Sequence, residues 1–435
     1  MKKLLKENYR FIILFFLFLF YNLILSPLNL DEIWCYGFSH SIYKGLVPYV
    51  NFNMVITPFY PFLMSIPFHL FGSSMLVFHV ENALLLTLFS YYSYKIIGKN
   101  FWLISIFFIW PVNITFPNYN FLLLFLFVLF LYVEKKEYSD ILIGVLLGII
   151  FLTKQSVGFI LFFSIFYYYK DFHKMKKRII GFMIPCVLFL FYLLVTKSFL
   201  AFMDLCFFGL FDFGESNGNI NIIFFFSIFI FLLIGFLFYK TKKKEYFYLL
   251  LFMSINIPIF DYYHFILFFI AFMVVYLEEI KIPIRIDLIC FSIFSIVFLY
   301  RTFTFSYTSI YPNDISKFQY RYLGENAITL TKNTQKYMEK YDYKVMFIGP
   351  DAYYHKLILD QDLNYLDLIN YGNFGYHGSS KLLDRVKELD SSYVFFVSMD
   401  EIGRGNQTDQ KLIEYILKNG TFIEKTPLYD IYQLK

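Results

Sequence analysis

Residues 26–72 read SPLNLDEIWCYGFSHSIYKGLVPYVNFNMVITPFYPFLMSIPFHLFG. The stretch follows a nearly unbroken Phe, Leu and Ile run that starts near Tyr9, and it sets two adjacent carboxylates, Asp31 and Glu32, one step beyond that run. Its last part, 58–72, is apolar but interrupted by Pro58, Pro61 and Pro67. Whether 58–72 crosses a membrane fixes the side on which every later loop lies. A helix of that length reaches about 22 Å at 1.5 Å per residue, short of a hydrocarbon core of roughly 30 Å. Prolines also remove backbone hydrogen bonds that lipid cannot replace.

The chain around this stretch is that of a polytopic membrane protein. Of 435 residues, 58% are hydrophobic and 16% charged, with 61 Phe. So much apolar surface is not hidden by a water-soluble fold of this size. Besides 58–72, apolar segments fall near 9–26, 75–94, 101–117, 120–133, 139–153, 156–169, 179–196, 220–239, 246–260, 262–277 and 286–303. If 58–72 stays on one side, then Lys95, Lys99, Lys135, Lys136, Lys170 to Arg178, Lys240 to Lys244, Lys281 and Arg285 all share the cytoplasm with the basic N-terminus. Only Lys44, Lys154 and Lys197 are left in the opposite loops between spans. If it crosses, "KDFHKMKKR" and "KTKKK" land outside, against the positive-inside rule. The expectation is eleven spanning helices, with 58–72 a re-entrant or surface-lying helix in a first outer loop of about 27–74.

The N-terminal Lys2, Lys3, Lys6 and Arg10 precede the first span without a small-residue cleavage site, the pattern of an uncleaved signal-anchor. The net charge of +5 is a matter of loop topology and not a nucleic-acid signal. Cys35, Cys186, Cys206 and Cys290 show neither disulfide nor zinc spacing. From about 305 the composition turns polar. "KVMFIGP" (344–350), "SYVFFVSM" (392–399) and the tail "LYDIYQLK" read as strands. Residues 379–389 read as a helix with a serine N-cap, and 408–420 as a helix with a glycine C-cap. The predicted organisation is a transmembrane domain over 1–304 and an extracytoplasmic α/β domain over 305–435.

That parity isolates a small set of outward polar groups: Asp31, Glu32, His40 and Lys44 in the first loop, Asn118 and Asn120 in "FPNYN", Lys154 in "LTKQS", and Asp261 with His264 in "FDYYHF". Position alone leaves two readings of each. Asp31 and Glu32 are catalytic, or they complement the dipole at the start of a helix. Lys154 binds a substrate, or it snorkels to the lipid surface. His264 beside Asp261 is a ligand contact, or an interfacial anchor. No pair has metal-ligand spacing.

The first loop as a whole resembles the opening of GT-C fold membrane glycosyltransferases, relatives of protein O-mannosyltransferases and aminoarabinose transferases. The shared elements are an acidic pair after the first span, a helix ending in Lys44-Gly45 with Pro48-Tyr49 behind it, and a proline-led helix from Pro58 to Phe71 closing in "FG". "FLTKQSVGFI" (151–160) resembles a second landmark, a lysine at an outer helix end. The resemblance implies a polyprenyl-phosphate monosaccharide as donor, used on the outer face of the cytoplasmic membrane on a glycan, lipid or protein hydroxyl. It implies Asp31 as general base of an inverting displacement, with Glu32, Lys44, Lys154, Asp261 and His264 binding substrate. Many relatives carry a further acid where this chain has Asn118 and Asn120, which points to chemistry without a divalent metal or other cofactor. The rival readings are a repeat-unit polymerase, a flippase or transporter of lipid-linked sugars, and a receptor or scaffold. The outer loops between spans lack the arginines of the first, and the spans, Glu81 apart, lack the mid-membrane charges of the second.

Overall fold

The computed structural model describes residues 2–24, 30–98, 118–168, 170–217, 220–280, 283–304, 339, 344–349, 373–389, 391–398, 409–426 and 429–435. Helix α1 (Lys2–Ile24) is followed by two helices of the first loop, α2 (Leu30–Tyr43) and α3 (Phe59–Phe71). The bundle continues with α4 (Met75–Ile97), α5 (Tyr119–Lys135), α6 (Asp140–Thr153), α7 (Gln155–Phe162) and α8 (Phe172–Val195). After α9 (Phe199–Met203) and a π-helical turn (Asp204–Phe208) come α10 (Gly209–Asn217), α11 (Ile222–Thr241), α12 (Lys244–Phe252), α13 (Tyr262–Glu279) and α14 (Ile284–Thr304). The predicted span 101–117 lies outside the described residues.

Local chemistry sets these boundaries. Ser74, Asn118, Asp171, Asn221 and Asp261 each turn a side-chain oxygen back onto a first-turn N–H, satisfying donors that lipid cannot. Gly45, at φ +83°, ends α2 where Lys44-Gly45 was expected to end it. Helix α3 is 13 residues long, about 20 Å, and so is shorter than a hydrocarbon core.

Among the described residues four helices, α4, α8, α11 and α13, are long and apolar enough to cross a membrane singly. The expected spans 156–169 and 246–260 are not continuous helices. The first is α7 extended by a 3₁₀ turn (Phe163–Tyr168), and the second is α12 extended by another (Met253–Asn256). Lys154, extended at φ −149° and ψ 106°, breaks the path ahead of α7, and Pro258, which has no N–H to donate, follows the other turn. Leu188, Phe191, Phe229 and Leu232 project outward from α8 and α11, more than 60% exposed, the surface of a multi-pass membrane protein facing lipid.

The bundle has two chemically distinct ends. At one, α5, α6, α8, α12 and α13 gather ion pairs: Arg178 with Glu134, Arg178 with Asp140 (2.8 Å), Lys244 with Glu134 (3.0 Å) and Lys135 with Glu278 (2.7 Å). Arg178 and Glu134 are only 3% and 2% exposed. At the other end stand Asp31, Lys154 and Asp261. The 17 residues of α5 separate the two by about 25 Å.

The C-terminal part forms a four-stranded sheet of β1 (Lys344–Ile348), β2 (Tyr393–Ser398), β3 (Gly420–Lys425) and β4 (Tyr429–Leu434) in the order β1-β2-β4-β3. Strands β1 and β2 are parallel, and the β2–β4 and β4–β3 pairs are antiparallel. Helices α15 (Gly378–Lys387) and α16 (Gln410–Asn419) bury Leu382, Val386, Leu412 and Ile416 against Met346, Ile348, Phe395 and Val397 on one face. One end signal differs from expectation: His377, in the left-handed region, precedes α15 without a serine cap. Asp409 caps the start of α16, its carboxylate accepting the Lys411 N–H. Gly420 caps the C-terminus of α16 as expected, its N–H on the Ile416 carbonyl, but in an extended conformation that also opens β3, so α16 runs directly into the strand.

Candidate active site

The site is assembled at the end of the bundle where helices start or break. Asp31 lies in the first turn of α2, half-buried. Burial, with repulsion from Asp261 added and attraction from Lys154 opposing, pushes its carboxyl from the usual range up to about 6. Lys154 sits at the break between α6 and α7. The sharp reversal there needs Gly158, because a Cβ on it would stand 2.1 Å from Phe151 Cα of α6. The Lys154 ammonium donates to Asn120 Oδ1 at 3.1 Å and to the Ile255 carbonyl at 3.2 Å, and lies 5.9 Å over the Tyr119 ring. Burial lowers it to about 8, partly offset by the charges of Asp261 and Asp31.

Asp261 caps α13 by accepting the His264 N–H at 2.8 Å, and its Oδ1 also meets His264 Nδ1 at 2.8 Å. Burial alone would raise the Asp261 carboxyl. The hydrogen bonds with the His264 ring and backbone, and the Lys154 charge, hold it below the usual carboxylate range. That bond fixes the ring of His264, which helps to line a cavity.

This cavity, about 70 Å³, is bounded by Tyr119, Lys154, Gln155 and His264 on its polar side. Val55, Ile56, Leu205, Leu210, Phe213 and Pro258 form an apolar wall. An ammonium and an imidazole at one end of an apolar slot suit an anionic head on a hydrocarbon tail. The neighbouring carboxylate, raised toward neutrality, suits proton abstraction.

The predicted residues divide. Asp31, Lys154, Asp261 and His264 come together within one another's fields. Glu32 does not join them. It is fully buried on the adjacent position of α2 and pairs with His79 Nε2 of α4 at 2.7 Å, which anchors α2 to the bundle. Lys44 is exposed past the far end of α2, about 20 Å along the helix from Asp31. Asn118 caps α5 and donates to the Tyr263 hydroxyl, while Asn120 accepts from Lys154. Sequence reasoning missed Tyr119, Gln155 and His79. A lysine flanked by Gln155 was the only signal for the second of these, and His79 looked like an ordinary residue of an apolar helix.

No protein-family model matches the chain, and no curated protein matches it by sequence. Among solved structures it is similar to the crystal structure of ArnT from Cupriavidus metallidurans bound to undecaprenyl phosphate. The TM-score is 0.61 and the identity 12%, over 99% of this chain and 98% of that one. The apo-state structure of the same ArnT is similar with a TM-score of 0.60 and 11% identity, over 98% of each chain. The chain therefore has the GT-C-like fold that its first loop resembles.

Proposed function

We propose that the protein is a membrane glycosyltransferase that moves a monosaccharide from a polyprenyl-phosphate donor to a hydroxyl acceptor on the outer face of the cytoplasmic membrane. The observation that carries this reading is that Lys154 and His264 line a largely apolar cavity while Asp31 and Asp261 stand close enough to Lys154 for their charges to act on it. The undecaprenyl phosphate held by the ArnT structure of the same fold is a ligand of the matching chemistry.

In this reading the polyprenyl chain lies along Ile56, Leu205, Leu210 and Phe213, and the phosphate meets Lys154 and His264. Asp31 takes the acceptor proton as that oxygen attacks the anomeric carbon. The anomeric C–O bond to phosphate breaks from the opposite face, inverting configuration, and the electron pair leaves with the polyprenyl phosphate. Lys154 offsets the negative charge that builds there. Because the leaving group is already a phosphate, no second carboxylate nucleophile is needed, unlike retaining hydrolysis. Asn120 in place of an acid turns Lys154 toward the site without adding a metal ligand, so the proposed reaction runs without a divalent cation or other cofactor. Eleven spans, a transmembrane domain over 1–304 and an outward domain over 305–435 complete the proposal. Glu32 and Lys44 are left outside the donor contacts.

The test is sugar transfer from radiolabelled polyprenyl-phosphate sugars in membranes holding the full chain. Asp31→Asn is expected to lower turnover about 10²- to 10⁴-fold, the usual worth of a positioned general base, while leaving polyprenyl-phosphate binding intact. Lys154→Met is expected to weaken that binding. Near-normal turnover in Asp31→Asn overturns the mechanism.

A further inference from the structure

Part of the wall of the cavity that Lys154 lines is held by the C-terminal layer. Leu205, Gly209, Leu210 and Phe213 line the cavity and belong to the π-helical turn Asp204–Phe208 and to α10. A π-turn is a costly departure from α-geometry that is common at functional sites. Its first residue, Asp204, is gripped from the C-terminal side. Lys381 of α15 donates to both carboxylate oxygens at 2.8 and 2.7 Å, and the Tyr376 N–H reaches Oδ1 at 3.3 Å.

The backbones approach as closely as chain geometry permits. Gly375, at φ +79°, passes so near that a Cβ on it would stand 2.5 Å from Asp204 Oδ2. A Cβ on Gly209 would stand 2.8 Å from Gly375 Cα. A second hook joins the same segment to the first loop, where the buried Asn53 Nδ2 donates to the Asn373 carbonyl at 2.8 Å. Inside the turn, the Cys206 carbonyl accepts from Gln155 Nε2 at 2.7 Å, and Gln155 directly follows Lys154. An unbroken physical path thus runs from α15 through Asp204 and the π-turn to the helix break that presents the ammonium.

We infer that Lys381 and Asp204 are positioning residues through which the C-terminal layer sets the shape of the donor cavity and the placement of Lys154. The inference rests on the donor reading above and assigns the C-terminal layer a role in donor binding, separate from acceptor choice. With the clasp intact the π-turn is pressed against Gln155. With it broken, the turn relaxes outward and the apolar wall loosens around the lipid.

The experiment uses the full chain in nanodiscs with radiolabelled undecaprenyl phosphate as probe. K381M is expected to weaken binding about two- to fivefold, the range a half-exposed ion pair supports. D204K combined with K381D is expected to restore binding, a rescue that loss of folding cannot give. G375A, which strikes the Asp204 carboxylate directly, is expected to weaken binding by roughly tenfold. Wild-type affinity in K381M, or a loss that the reversed pair does not rescue, overturns the inference. Amide exchange across 204–210 provides a readout free of the donor reading. If wild type takes up no polyprenyl phosphate, that reading falls, and unchanged exchange in K381M overturns the clasp as well.

Discussion

The pH profile of sugar transfer tests the site most directly, because the two proposed participants titrate on either side of neutrality. Burial brings the Asp31 carboxyl up to about 6 and the Lys154 ammonium down to about 8. A general base works deprotonated, so its contribution is present above about 6 and lost as pH falls through that value. A cation facing phosphate works protonated, so its contribution is present below about 8 and lost as pH rises through it. The product is a bell with a plateau between the two. One unit beyond either limb about a tenth of the competent form remains, so kcat/KM at about pH 5 and at about pH 9 is expected near a tenth of the plateau. The assay is initial-rate transfer from a radiolabelled polyprenyl-phosphate sugar in nanodiscs, across buffers of constant ionic strength. Lys154→Arg separates the limbs. A guanidinium stays charged throughout, so the alkaline limb should vanish while the acid limb stays. A flat rate from pH 5 to 7, or an alkaline limb that survives in Lys154→Arg, refutes the assignment.

Other consequences concern the frame that holds the site. Arg178→Met leaves the buried Glu134 carboxylate with Lys244 and the Tyr168 hydroxyl as partners, and is expected to cost about 3–5 kcal/mol in thermal unfolding while turnover at saturating donor stays near wild type. His79→Leu removes the imidazole that pairs with the fully buried Glu32 carboxylate. It should destabilise by a similar 3–5 kcal/mol, and Glu32→Gln in the same chain should recover part of that loss in a melting experiment. Gly158→Val forces a side chain into α6 where a Cβ has only 2.1 Å, so the detergent-solubilised protein should melt lower and lose polyprenyl-phosphate binding together.

Composition and loop charge alone carried the reading to a polytopic membrane protein. The period and length of the apolar runs report burial in lipid, and the lysine-rich loops report the side on which they lie. The acidic pair in its loop, the short proline-led helix and the glycine that ends α2 were legible for the same reason, since each is a property of neighbouring residues. The strands at 344–348, 393–398 and 429–434 were legible from their apolar runs. Strand β3, with its mixed pattern "GTFIEK", was not, because its place is set by pairing with β4.

Only the tertiary structure separated Asp31 from Glu32. Adjacent positions on a helix point about 100° apart, so one carboxyl stands within the fields of Lys154 and Asp261 and the other turns into the bundle against His79. The same holds for Lys44 and Lys154, two lysines of expected outer loops that look alike in sequence. Lys154 stands at a helix break closed by Gly158 and is drawn in by Asn120, while Lys44 trails the far end of α2. Likewise, nothing near residue 204 signals that a lysine 177 residues later will clasp it. Sequence determines which segments enter the membrane and where they stop. Which polar groups meet depends on how the helices rotate and cross, and that is decided by contacts between residues far apart in the chain.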